Sequence, residues 1–182
     1  MNKDIAKILI TEEEIDATVR RLAKEIDEHY RRDPEHKRLV LLGILKGSVV
    51  FMGELMKRLT TPVEIEFMRV SSYGSGTVST GSVRIVLDAD VKNIGECDIL
   101  IVEDIIDSGR TLSYLVEYLK HKGARRVHTV TLLDKPSRRE VDFASDFVGI
   151  VIPDEFVVGY GLDYDEKYRA LPYVGVLRPE AI

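Results

Sequence analysis

The sequence predicts an α/β fold with a mainly parallel central sheet flanked by helices. Three observations predict it. Apolar runs of strand length, at Leu39 to Leu45, Ile99 to Val102 and Val127 to Leu133, alternate with longer stretches whose apolar residues recur at helical spacing. The first two runs are apolar at almost every position, as expected of strands covered on both faces. Acidic and glycine-containing segments follow directly on strand ends, where open α/β sheets bind ligands.

The elements follow in order. Thr11-Glu12-Glu13-Glu14 fits a capping box, with Thr11 as N-cap and Glu14 at N3. Ile15, Val19, Leu22, Ala23, Ile26 and Tyr30 continue at helical spacing, so a helix is predicted over 12–30. Leu39 to Leu45 is a buried strand, with a helix over 47–59 behind it. Val63, Ile65 and Phe67 alternate with Glu64 and Glu66, the pattern of a half-exposed strand. Residues 71–82 form a long run of small polar residues with the character of a lid. Val83 to Leu87 is a strand, and Ile99 to Val102 another. A helix over 111–121 is stopped by Gly123. Val127 to Leu133 and Val148 to Ile152 complete the alternation.

At 182 residues the chain is expected to form one domain, spanning 1–182, with a real core. No apolar run reaches the roughly 18–20 residues needed to cross a bilayer, and the first residues lack the apolar core of a signal peptide. The single Cys97 excludes an intrachain disulfide and a cysteine metal cage, so a cytoplasmic location is expected. A net charge of −5 argues against nonspecific nucleic-acid binding. It also means that a polyphosphate ligand needs a metal or local Lys and Arg to bridge like charges.

Four segments carry candidate chemistry. In Ile99-Leu100-Ile101-Val102-Glu103-Asp104-Ile105-Ile106-Asp107-Ser108-Gly109-Arg110-Thr111, a strand runs into acids and then into a small-residue loop that opens a helix. Carboxylates accept hydrogen bonds from sugar hydroxyls. A helix N-terminus offers free N–H groups and partial positive charge to a phosphate. The segment is neither a P-loop nor a dinucleotide fingerprint. An acidic turn with Asp107 or Ser108 as plain N-cap is the simpler reading, but acids this close repel one another and a phosphate-sized loop follows them. Gly43-Ile44-Leu45-Lys46-Gly47-Ser48 is a second strand-to-helix junction able to hold an anion, or merely a helix start with a solvated lysine. Leu133-Asp134-Lys135-Pro136 places a lysine at a strand end, either as donor to a ligand carbonyl or as a snorkelling surface residue. The fourth runs from Ile152 to Tyr164, with Arg169 beyond. Phe156 suits stacking on a heterocycle or core packing, Asp163 a metal or its water, and Arg169 a phosphate.

These segments, in this order, resemble the purine phosphoribosyltransferases, specifically the bacterial hypoxanthine-guanine type. Val102 to Thr111 is similar to the family's phosphoribosyl pyrophosphate signature, Leu45-Lys46-Gly47 to its pyrophosphate loop and Ser72-Tyr73 to its flexible catalytic loop. Leu133-Asp134-Lys135 and Phe156 to Tyr164 are similar to its purine-binding segments. The likeness runs from about Leu39 to Leu177. It implies the type I phosphoribosyltransferase fold, with a small hood built from the terminal segments. It implies a purine-salvage transferase that joins hypoxanthine or guanine, through N9, to the ribosyl carbon of phosphoribosyl pyrophosphate.

The resemblance further implies roles for residues. Asp107 is the general base. Glu103 and Asp104 hold the ribose hydroxyls, while Asp107, Ser108, Gly109, Arg110 and Thr111 cradle the 5′-phosphate. Lys46, Gly47 and Arg169 bind pyrophosphate. Lys135, Phe156, Val157 and Asp163 take the purine, and Ser72 and Tyr73 close over it. Mg²⁺ is the implied cofactor, with Glu103, Asp104 and Asp163 as its carboxylates. A homodimer or homotetramer is implied, with no nucleic-acid or membrane partner. In this family the peptide bond before the loop lysine can be cis. A rival reading is an RNA-binding regulator on the same fold, like the pyrimidine attenuation proteins. It needs a basic surface, for which Lys120-His121-Lys122, Arg125-Arg126 and Arg138-Arg139 are the candidates.

Overall fold

In a computed structural model, which describes residues 2–35, 37–72 and 83–182, strands and helices alternate as expected. The order is β1 (Ile5–Ile10), α1 (Glu12–Arg31), β2 (Arg38–Leu45), α2 (Val49–Met56), β3 (Val63–Ser72), β4 (Val83–Leu87), β5 (Cys97–Ile106), α3 (Arg110–His121), β6 (Arg126–Asp134), β7 (Phe147–Val151), β8 (Val157–Val158) and β9 (Val174–Leu177). A six-stranded sheet has the order β4-β3-β2-β5-β6-β7. All its pairings are parallel except β3 with β4. A three-stranded sheet, β1-β9-β8, joins the two ends of the chain and forms the hood.

The central strands explain the apolar runs. In β2, Leu39 and Leu41 face one cluster while Val40 and Leu42 face the other. In β5, Leu100 and Val102 join the first cluster and Ile99 and Ile101 the second. The first cluster is closed by α1 and α2, through Ile15, Leu22, Ile26, Phe51 and Leu55, and the second by α3, through Leu112, Leu115 and Leu119. Each buried Leu or Ile contributes roughly 1.5–3 kcal/mol of transfer free energy, so a double-faced strand is favoured where helices cover both sides.

The ends of α1 follow local chemistry. Thr11 accepts from the Glu14 amide at 3.2 Å, and Glu14 returns a carboxylate to the Thr11 amide at 2.8 Å. Asp27 on this helix, 8 % exposed, accepts from the Thr60 and Thr61 amides at 2.9 Å and from the Thr60 hydroxyl at 2.8 Å. That ties α1 to the connection after α2.

Three local expectations need correction. The helix expected over 47–59 is shorter, because Gly47 and Ser48 lie in the turn before it and Lys57 and Arg58 in the turn after it. The strand expected to end at Val102 continues to Ile106, so Glu103 and Asp104 lie within β5 rather than just past its end. The helix expected from Thr111 begins at Arg110, capped by Gly109 at a φ of 79° that favours glycine, so the alternative of a plain Asp107 or Ser108 cap does not form. Ser71 and Ser72 close β3, while Tyr73 and residues 74–82 of the expected lid lie outside the described residues.

Candidate active site

The site is positioned by a divergence of the two central strands. β2 and β5 pair in parallel from Arg38 with Cys97 to Gly43 with Val102, and there the pairing stops. Beyond it β5 pairs only with β6, up to Ile106 with Asp134. The chain leaves β2 toward β3 on one side and β5 toward β6 on the other, so the crevice between them is where the strand order reverses.

Ile44, Leu45, Gly47 and Val70 form one wall of a cavity of about 330 Å³, and Glu103 to Gly109 with Thr111 and Leu112 form the other. Gly47 lies hard against the acids. A Cβ on it would fall 1.7 Å from Asp104 Oδ2, so no larger residue fits there without moving Asp104. The Leu45–Lys46 peptide bond is cis.

Glu103 is half-buried, and Asp104 is buried. Asp104 Oδ1 accepts from the Ile105 amide at 3.0 Å. Among the described residues neither acid has a cation within ion-pair distance. Burial, and then the charge of Asp104, pushes the Glu103 carboxyl well above the usual carboxylate range. Burial also raises Asp104. Two adjacent, desolvated carboxylates of this kind are a site awaiting hydroxyl donors or a cation. Among the described residues no three His, Cys, Asp or Glu groups converge to hold a metal. Glu103 and Asp104 therefore offer a pair of ligands rather than a cage, which suits Mg²⁺, an ion usually completed by water and substrate oxygens.

Past these acids the chain turns into α3. Ser108 Oγ accepts from the Arg110 amide at 3.3 Å, and Gly109 lets the backbone swing into the helix. Ser108, Gly109 and Thr111 line the cavity, and the free N–H groups of the first turn offer it an anion seat. The Arg110 side chain is engaged elsewhere, with Glu140 at 2.5 Å.

A second cavity, of about 400 Å³, lies beside the first and is lined by Ile105, Asp107, Lys135, Arg138, Asp154, Glu155, Phe156, Val157, Leu162 and Asp163. Ile105 and Asp107 belong to both. Lys135 is no snorkelling surface lysine: it is 7 % exposed, its amide donates to the Ile106 carbonyl at 3.0 Å, and its ammonium lies 3.8 Å from Asp107 Oδ1. Asp134, beside it in sequence, is paired with Arg139 instead. Phe156 is half-exposed over this cavity and meets Tyr164 edge-on at 5.6 Å, leaving its flank open to a flat ligand.

Lys46 and Arg169 stand apart from both cavities and meet through Glu166. Its carboxylate is 2.7 Å from Lys46 Nζ and 3.1 Å from Arg169. Arg169 also binds Asp163 at 2.9 Å and donates to the Gly161 carbonyl at 2.8 Å. Thus the structure brings Glu103, Asp104, Asp107, Ser108, Gly109 and Thr111 together around one cavity. It gathers Lys135, Phe156, Val157 and Asp163 around the other. Glu166 escapes sequence reasoning, because a lone charged residue in a loop carries no periodicity, and Arg138 and Arg139 stand out there only as a basic pair and not as neighbours of this site.

The comparisons agree with this geometry. Residues 8–165 match the phosphoribosyl transferase domain. The chain is 52 % identical over 179 residues to the hypoxanthine-guanine phosphoribosyltransferase of Bacillus subtilis, covering 98 % of this chain and 97 % of that one. The chain belongs to the hypoxanthine-guanine phosphoribosyltransferase family. It is 53 % identical to the Lactococcus lactis member over 99 % of its own length and 95 % of that protein. It superposes on hypoxanthine phosphoribosyltransferase from Staphylococcus aureus with a TM-score of 0.89 at 48 % identity, over 97 % of this chain and 94 % of that one. A mutant of the Trypanosoma cruzi hypoxanthine phosphoribosyltransferase in a ternary substrates complex matches with a TM-score of 0.90 at 43 % identity, over 99 % of both chains. The fold is accordingly that of the type I phosphoribosyltransferases. A further relative, the bifunctional protein TilS/HprT of Listeria monocytogenes, is 52 % identical over 99 % of this chain, which spans only 27 % of that relative's length.

Proposed function

We propose that the protein is a purine-salvage transferase that moves the 5-phosphoribosyl group of phosphoribosyl pyrophosphate to N9 of hypoxanthine or guanine, giving IMP or GMP and pyrophosphate. The observation that carries this reading is Asp107, which forms part of both cavities and faces the buried Lys135 across the second. A sugar phosphate in one cavity and a base in the other would react at that shared wall.

The residues divide the work. Glu103 and Asp104 accept from the ribose 2′- and 3′-hydroxyls. The helix N-terminus from Ser108 to Thr111 binds the 5′-phosphate through its amides. Lys46, Gly47 and Arg169 take the pyrophosphate, which must displace Glu166 from the two cations. As N9 of the base bonds to C1′ and the pyrophosphate oxygen leaves, Asp107 accepts the proton from N7. Such transfer contributes about 10²–10⁴-fold, and the rest comes from positioning and charge stabilisation. Lys135 donates to the purine 6-oxygen, Phe156 stacks on the ring, and Val157 and Asp163 lie at the edge near C2. Adenine carries an amino group at position 6, so two donors would face each other and it is excluded.

Mg²⁺ is the cofactor we infer. It would supply charge neutralisation of the leaving group; Glu103 and Asp104 are the pair that would hold one ion, and Asp163 would help order a second. We also infer a cytoplasmic homodimer or homotetramer working as one domain. Exposed Val49, Met56 and Ile65 on α2 and β3 support self-association, and light scattering after size exclusion reads it directly. Among the described residues no helix is long and apolar enough to cross a membrane.

The ion pairing of its candidate cations counts against the rival RNA-binding reading. Arg125 and Arg126 are engaged by Asp33 and Asp98, Lys120 by Glu117, Lys122 by Asp88, Arg138 by Asp154 and Arg139 by Asp134. A panel of hypoxanthine, guanine, xanthine, adenine and uracil with phosphoribosyl pyrophosphate and Mg²⁺ tests the proposal. Nucleotide is expected from hypoxanthine and guanine, and no product from either would overturn it.

A further inference from the structure

One largely buried cation has no part in the chemistry above. Arg139 follows the short turn after β6, and its side chain is only 17 % exposed. One arm of its guanidinium donates to the Asp107 carbonyl at 2.5 Å, and the other grips the Asp134 carboxylate, which is itself nearly buried. Its location is what matters. The ladder between β5 and β6 ends at Ile106 and Asp134, one residue short of the side chains assigned to catalysis and base reading. Past that point Lys135 is tied to β5 by the hydrogen bond its amide donates to the Ile106 carbonyl, and Arg139 supplies the next link across the same gap. The neighbouring Glu140 amide donates to the Ser108 carbonyl at 3.0 Å, and the Arg139 stem packs where a Gly109 Cβ would come within 3.0 Å of it. The segment therefore clamps the phosphate loop from behind.

We propose that Arg139 is a positioning residue that fixes Asp107 relative to Lys135 by holding the two strand ends that carry them. The proposal rests on the transferase reading given above. A guanidinium suits the task because its planar fork donates in two fixed directions at once, whereas a lysine ammonium is a single flexible point. A displacement of about 1 Å in a reacting group costs on the order of 10²-fold in rate; the backbone bond from Glu140 to Ser108 still holds the phosphate loop when the Arg139 side chain is changed, so loosening the guanidinium strut acts chiefly on the chemical step.

The test compares the full-length chain with Arg139→Lys, Arg139→Gln, Asp134→Asn and the double variant Arg139→Gln/Asp134→Asn. Steady-state kinetics are run with hypoxanthine, well below every melting temperature. The expected result is a fall in kcat of about 10-fold or more in both Arg139 variants, with KM for phosphoribosyl pyrophosphate within about twofold of the parent. The double variant is expected to be no worse than Arg139→Gln alone, since both changes break one strut. Arg139→Lys keeps Asp134 paired with a cation, so it serves even where the Gln variant does not fold. Parental kcat in Arg139→Lys overturns the inference, as does a raised KM for phosphoribosyl pyrophosphate at unchanged kcat. If the unmodified protein makes no nucleotide from hypoxanthine or guanine, the transferase reading falls and this role falls with it. An active parent with an undiminished Lys variant removes this role alone.

Discussion

Asp27 and Asp104 are each 8 % exposed, yet their carboxyls shift in opposite directions. Burial would raise Asp27, but the amides and hydroxyls of Thr60 and Thr61 outweigh it and hold the group below the usual carboxylate range. Burial raises Asp104 too, and there the opposing hydrogen bonds from Glu103 and the Ile105 amide and the charge of Arg169 do not outweigh it. Depth alone is thus a poor guide to purpose. A buried carboxylate surrounded by donors is a structural fastening, whereas one left short of them at the open end of a parallel sheet is held ready for a ligand. Glu103 repeats the second pattern more strongly.

The sharpest way to extend the contrast is Asp107, an acid at the same end that is more exposed and faces Lys135. Asp107→Asn keeps the shape of the side chain but removes the proton acceptor and the charge facing Lys135. We expect kcat to fall about 10²–10⁴-fold with substrate binding retained, as read by steady-state kinetics and calorimetry. An unchanged kcat would return Asp107 to the class of structural acids.

Next in size is the fastening itself. Asp27→Asn puts an amide donor against the Thr60 and Thr61 N–H groups, a loss of about 2–3 kcal/mol, or roughly 5–10 °C in melting temperature for a chain of this length. Activity per folded molecule should be unchanged, which would separate the two carboxylates by function as well as energy. The smallest effect belongs to the cap of the same helix. Thr11→Ala should cost about 1 kcal/mol, measured by denaturant unfolding, with no kinetic consequence.

The two ends of the molecule were not equally legible in the sequence. The capping box at Thr11 and Glu14 is a local pattern with a local cause, and α1 formed where that pattern put it. The apolar runs of β2 and β5 likewise announce strands covered on both faces. The last residues of β5 were missed because Glu103 and Asp104 break the apolar run, although Asp104 and Ile106 remain buried in alternation. The hood was legible only through resemblance. Its strand β1 pairs with β9, setting Ile5 beside Leu177, and no local periodicity reports a partner so distant in the chain. The candidate residues at the site stood out because acids, glycines and a lysine cluster at strand ends. Arg139 did not, since its bond to Asp107 is to a backbone carbonyl, which no residue type encodes.

The opposite shifts carry opposite signs of linkage. A carboxyl raised in the folded state binds protons more tightly there, so Glu103 and Asp104 cost stability once the pH rises past the ordinary range near 4 toward their raised values. Asp27, held low, contributes stability above that range and loses it as the pH falls through its lowered value. The most direct test is therefore the melting temperature of Asp104→Asn and Asp27→Asn beside the parent, in metal-free and ligand-free buffer at pH 8 and again near pH 5. Asp104→Asn should melt above the parent at pH 8, with the gain shrinking at the lower pH, while Asp27→Asn melts below it. If Asp104→Asn melts below the parent at pH 8, as Asp27→Asn does, then Asp104 is a fastening too and the contrast fails.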